Sequence, residues 1–201
     1  LLGDMVARSR FDAGEVGKER GVILDELGTL NDVPEEKVRR SVRARLWPDH
    51  GLGREVAGRP RNVQGIAPDQ LRAHARRMFA GANLVLSAAG DLDQPKVLAG
   101  FEQEFGSLPT GRVAGWPKFR PNGLPKPRVV IDDRDGDQVL FAIAGRTLRR
   151  EDPDRYAMDI LCAAIGEGMG SRLFEDLRES RGIVYEVFSA LFVARDSGAM
   201  T

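Results

Sequence analysis

One cysteine, Cys162, is all the thiol this chain carries, which excludes a disulfide framework and a cysteine-built metal site. It lies in the apolar run MDILCAAI, where a packed, inert thiol is expected. Histidine is almost as scarce. His50 falls in a loop and His74 on a basic helix, and neither has a partner at metal-ligand spacing. Neither sign of charge dominates: 30 Lys and Arg face 30 Asp and Glu, so no overall field draws the chain to nucleic acid or to a membrane. No apolar run approaches the roughly 20 residues that span a bilayer. An initiator Met is missing too. Leu1 opens LLGDMVARSRF, which reads as mid-helix, and VFSALFVARDSGAMT stops at a strand or its exit, so the sequence is expected to be a piece of a longer chain. What is present is ordinary for a globular protein, with 42% hydrophobic and 30% charged residues in 201. Arginine outnumbers lysine 25 to 5, read here as coding bias.

Helical periodicity dominates the first half. Val16, Val22, Ile23, Leu24, Leu27 and Leu30 predict a helix over 14–30. Pro34 suits the first turn of the next, capped by Asp32 or Val33, with Val38, Val42 and Leu46 on its apolar line and its end near Trp47. A polar, glycine-rich loop is expected over 49–64. Pro68 then opens a helix with Leu71, Ala75, Met78 and Phe79 inward. NLVLSAAGDL, residues 83–92, has the continuous apolar character of a buried strand, and a helix over 94–105 follows with Gly106 after it. Residues 107–128 contain five prolines and no periodicity, which marks a linker. Beyond it, RVVIDD and QVLFAIAG flank RDGD as a hairpin turning at Asp135-Gly136. Helices from Pro153 and over 171–181, the latter closed by Gly182, and a strand over 183–193 complete the pattern. Helices and strands mixed on both sides of one linker make an α+β protein in two units: 1–106, the linker 107–128, and 129–201.

Four stretches invite a functional reading. Acid recurs at Glu15, Glu19 and Glu26 on the first long helix, and Glu26 interrupts an otherwise apolar run. Glu19 and Glu26 are seven residues apart, so they share a face but stand about 10 Å apart along the axis. Two such groups do not share one small ion comfortably. One as a ligand with the other in support is allowed, and so is a plain solvated edge. Residues 36–77 carry eleven Lys or Arg against four Asp or Glu, but no aromatic interleaving or groove-reading motif accompanies them, and two basic solvent faces suffice. GEGMGSR, residues 166–172, follows a helix and lacks a Walker lysine and hydroxyl, so it reads as an inter-helix turn that lets a backbone come close. In LRESRGIVY, Arg178 near a helix end and Tyr185 at a strand start could together grip a peptide carbonyl or carboxylate.

Taken together, ERGVILDEL, NDVPEEKV, LWPDHGLGREVAG, NLVLSAAGDLD and GMGSRLFEDLRESRGIVYEVFSALFVARDSG resemble the inverzincin zinc metallopeptidases, the family of pitrilysin, insulin-degrading enzyme and the mitochondrial processing peptidase. The likeness is to the processing-peptidase branch and is weakest in the linker. It implies parts of two tandem homologous α/β sandwich units of the clamshell type: the rear of a zinc-bearing unit in 1–106 and the front of a substrate-anchoring unit in 129–201. Glu26 would be the zinc-ligating carboxylate and Glu19 the supporting acid. Arg178 and Tyr185 would anchor the substrate backbone. The family's H-x-x-E-H helix, with two His ligands and the general-base Glu, is absent from these residues, and the resemblance places it upstream. The implied activity is zinc-dependent endopeptidase cleavage of unfolded or extended peptides, with the piece alone inactive.

A rival from another class is a non-catalytic partner subunit of the same family that binds peptides or assembles complexes. The presence of Glu19 and Glu26 favours the catalytic type. A nucleic-acid module built on the basic helices is the remotest reading. The expected partner is a peptide, with a homo- or hetero-dimer compatible, and neither nucleic acid nor membrane. The expected compartment is the cytoplasm, which the lack of disulfide-forming cysteines permits, with the periplasm left open.

Overall fold

The computed structural model describes residues 1–120, 128–133 and 136–201. They pack as two compact units. The first comprises residues 1–29 and 57–116, the second residues 30–56 and 117–201. The change at 116/117 falls inside the proline-rich segment 107–128.

The first unit is helical. Helix α1 (Leu2–Ala7) buries Gly3 against the side chain of Glu104, and Arg8 behind it pairs with both Asp4 and Glu104, at 2.8 and 2.7 Å. Arg8, by hydrogen bond and charge, holds the Asp4 carboxyl below its ordinary range. Helix α2 (Ala13–Asp32) extends slightly past both expected ends, and of its apolar stripe Leu27 alone is fully buried. Arg20, on the same helix, donates to the Ile66 carbonyl at 2.6 Å. That carbonyl ends helix α4 (Pro60–Gly65), which occupies part of the expected loop over 49–64. Pro60 at its first turn and the buried Val63 explain it, because a proline start and one anchoring side chain suffice for a six-residue helix. Helix α5 (Pro68–Met78) begins at the predicted proline, with Leu71, Ala75 and Met78 half-buried and Phe79 left exposed. The Asp93 side chain accepts from Lys96 N–H at 3.3 Å and starts helix α6 (Gln94–Phe105), where Phe101 and Phe105 meet edge to face. The segment 83–92 forms no strand among the described residues, and Val85 is 93% exposed. Its apolar character signals burial, but a strand also needs a hydrogen-bonding neighbour.

The second unit carries the sheet. Helix α3 (Pro34–Leu46) is capped at Val33 and ends at Trp47, with Val38, Val42 and Leu46 half-buried. Trp47 is the largest fully buried side chain. Its indole N–H donates to Ser197 Oγ at 2.8 Å, and its ring meets Phe192 edge to face at 5.5 Å. Strands β1 (Gly145–Thr147), β2 (Leu191–Val193) and β3 (Gly198–Met200) form an antiparallel sheet with β3 in the middle, Gly145 and Leu191 both opposite Met200. A turn in which Ala194 N–H donates to the Ser197 carbonyl joins β2 to β3. The strand expected over 183–193 is thus confined to its last three residues, and β3 was not anticipated. Of the expected hairpin arms 128–133 and 138–145, only Gly145, which opens β1, lies in a strand among the described residues, and Val139 and Phe141 are 96% and 80% exposed. Of the turn itself, Asp135 lies outside the described residues. Helix α7 (Arg155–Gly166) packs by its C-terminal end, where Cys162 is buried as expected and Ser189 Oγ donates to the Cys162 carbonyl at 2.6 Å. Gly166 closes that contact: a Cβ there would run into the Ser189 backbone nitrogen. The helix expected over 171–181 is present as a π-helix (Phe174–Ser180), closed by Gly182 at φ +61. Helices with a small antiparallel sheet make the chain α+β.

Candidate functional site

Glu19 and Glu26 both lie on α2 in the first unit, exposed. Glu15, one turn before Glu19, is engaged by Lys18 at 2.7 Å. Among the described residues neither Glu19 nor Glu26 has a hydrogen-bond or ion-pair partner, so their carboxylates differ from Glu15 in being uncommitted. Two turns separate them, about 10 Å along the axis.

Zinc requires several nitrogen, oxygen or sulfur donors converging on one point. Among the described residues no group of three or more His, Cys, Asp and Glu side chains converges in that way. The histidines do not help. His50 Nδ1 accepts from Leu52 N–H at 3.3 Å while Nε2 faces the Pro117 carbonyl at 2.9 Å, so Nε2 is the protonated nitrogen and neither lone pair is left for a metal. His74 Nδ1 lies 3.0 Å from Arg77 on the exposed side of α5. The described residues therefore do not fit a complete zinc site.

Arg178 and Tyr185 belong to the second unit, and here two separate sequence signals are brought together. Arg178 lies in the π-helix and Tyr185 just beyond Gly182, whose φ is +61, and the two side chains meet. The guanidinium carbon stands 5.5 Å from the Tyr185 ring centre, a cation–π contact. Tyr185 is 88% exposed. Among the described residues no carboxylate or carbonyl takes an Arg178 donor. Arg181, three residues on, is by contrast committed to Asp176 at 3.1 Å. An oriented guanidinium with vacant donors, beside an exposed phenol, can bind a main-chain carbonyl or a carboxylate from outside. Phe174 was not singled out in the sequence. Its ring centre lies 4.8 Å from the same guanidinium, and the available signal was an aromatic residue four positions before the arginine on one helix.

A family model described as the peptidase M16 inactive domain matches residues 65–201, a stretch that contains Arg178 and Tyr185 but not Glu19 or Glu26. An uncharacterised zinc protease of Mycobacterium bovis is 36% identical over 205 residues, covering all of this chain and 46% of that protein. An uncharacterised zinc protease of Bacillus subtilis is 27% identical, with 48% of it covered. The chain thus spans about half the length of the curated relatives it matches. Among solved structures, a peptidase M16 inactive domain from Pseudomonas fluorescens superposes with a TM-score of 0.79 at 23% identity, over 98% of this chain and 48% of that one. The first half of a periplasmic protease from Escherichia coli does so with a TM-score of 0.63 at 19% identity, over 99% and 44%. Among the described residues no helix is long and apolar enough to cross a membrane. With the model match covering more than half of its length, the chain belongs to the peptidase M16 family.

Proposed function

We propose that this chain is part of a zinc-dependent endopeptidase that cleaves unfolded or extended peptides. Residues 1–106 are the rear of its zinc-bearing unit, 107–128 a linker, and 129–201 the front of its substrate-anchoring unit. The observation that carries the reading is Arg178, held against Tyr185 with its donors unclaimed among the described residues. In this scheme Arg178 and Tyr185 hold the peptide main chain by its oxygens, which favours substrates whose backbone is not already paired in secondary structure. Glu26 supplies one carboxylate to the metal, and Glu19, two turns earlier, supports the site without joining it. The remaining donors lie outside this sequence. Zinc, when bound, polarises a carbonyl and acidifies its water. The zinc protease names of the relatives support the class, and the cytoplasm is the compartment we favour.

The match to a domain described as inactive gives weight to a second reading, a non-catalytic subunit that binds peptides in a homo- or hetero-dimer. Steady-state cleavage of an internally quenched, unstructured peptide by the full-length protein separates the two. The endopeptidase reading expects turnover that chelation abolishes and zinc restores. It also expects Arg178→Ala to lower kcat/KM by about tenfold or more while zinc stays bound, as loss of a charged hydrogen-bond donor would. Peptide binding without turnover would establish the subunit reading instead.

A further inference from the structure

Arg178 has a nearer neighbour than Tyr185. The Phe174 ring centre lies 4.8 Å from the guanidinium carbon, against 5.5 Å for Tyr185, and the two aromatics come from different segments, one inside the π-helix and one beyond the Gly182 turn. A π-helix is rare and favours functional positions, and its wide turn keeps residues four and five apart on one face. Here Arg181 N–H reaches back five residues to the Asp176 carbonyl at 3.1 Å. Phe174 is half-buried whereas Arg178 is exposed, so the ring is the anchored member of the pair. An exposed arginine otherwise loses much rotamer freedom when it binds a ligand. Stacking on a fixed ring removes part of that loss beforehand, and the hydrogen-bond donors have no acceptor among the described residues.

We propose that Phe174 is a positioning residue that holds Arg178 in the orientation in which its donors meet peptide main-chain oxygens. This rests on the peptide-anchoring reading of Arg178 and goes beyond it by naming what orients the arginine. It also specifies the recognition. With two protein rings already against the guanidinium, the ligand is taken through acceptor oxygens and not by stacking of its own aromatic side chains.

The test uses the full-length protein, stripped of metal so that cleavage does not consume the probe, with a fluorescein-labelled casein peptide followed by anisotropy. Phe174→Leu keeps the apolar volume and loses the π face, and it should bind about two- to fivefold more weakly, the worth of one exposed cation–π contact. Phe174→Tyr keeps the face and should bind as the wild type does. Phe174→Met is a second ring-free variant should the leucine protein fold poorly. In an Arg178→Ala background, Phe174→Leu should cost nothing further, because a residue acting through the arginine has nothing left to orient. Wild-type binding by Phe174→Leu, or a full additional loss on top of Arg178→Ala, would overturn the inference and leave the anchor intact. Wild-type binding by Arg178→Ala would instead remove the anchoring reading, and this inference with it.

Discussion

Trp47 shows how a single side chain ties distant sequence together. Its indole is buried against Phe192 and donates to Ser197 Oγ, a residue 150 positions away. Trp47→Phe keeps an aromatic ring but leaves the buried Ser197 hydroxyl without that donor, so thermal unfolding of the purified protein should show a loss of about 1–3 kcal/mol. Trp47→Phe combined with Ser197→Ala should recover part of that loss, since both polar groups then leave together. An unchanged melting curve for the single variant would mean that water replaces the indole. None of this was legible in LWPDHGLG, because the sequence marks Trp47 as a helix end and carries no sign of which residue it will meet. Arg178 and Tyr185 were legible as a pair, since only seven residues and one glycine turn separate them. Phe174 was missed because aromatic residues on helices are ordinary until a distance singles one out.

Among the elements, helices were read well and strands poorly, for a physical reason. A helix satisfies its backbone within its own segment, so prolines at 34 and 68 and the apolar spacing of 14–30 place the ends closely. A strand depends on a partner that its own residues do not name. Residues 83–92 and 128–133 have strand-like composition and no ladder among the described residues, and of 138–145 only Gly145 joins one, while GAM, with little strand propensity, holds the centre of the sheet as β3. The π-helix also lay beyond reach, because a one-residue change in hydrogen-bond step leaves no mark on composition. The segment 166–172, expected as an inter-helix turn, begins at the last residue of α7, and there Gly166 meets Ser189. The Ser189 N–H donates to the Gly166 carbonyl at 3.0 Å, so neither chain can withdraw cheaply. Gly166→Ala should therefore destabilise by about 1–3 kcal/mol, the ordinary cost of overpacking. Gly170→Ala, where a Cβ would meet open space, should cost less. Chemical denaturation of the two variants checks the contrast, and equal midpoints would refute it.

At the scale of the whole molecule, the α+β class and the family were both legible before any coordinates. The family signal is spread over separate motifs in a fixed order, and the model match over 65–201 agrees with it. The metal site was not legible in full: a zinc ion needs donors from several segments, and among the described residues no group of three or more His, Cys, Asp and Glu side chains converges. Glu19 and Glu26 are both uncommitted among the described residues, while Glu15 is satisfied locally by Lys18, so the geometry alone does not separate a ligand from a supporting acid. The direct measurement is metal content, by inductively coupled plasma analysis, of the full-length protein and its Glu26→Gln and Glu19→Gln variants. The account predicts bound zinc in the wild type, loss of most of it in Glu26→Gln, and retention in Glu19→Gln. Zinc undiminished in Glu26→Gln, or absent from the wild type after zinc loading, would contradict it.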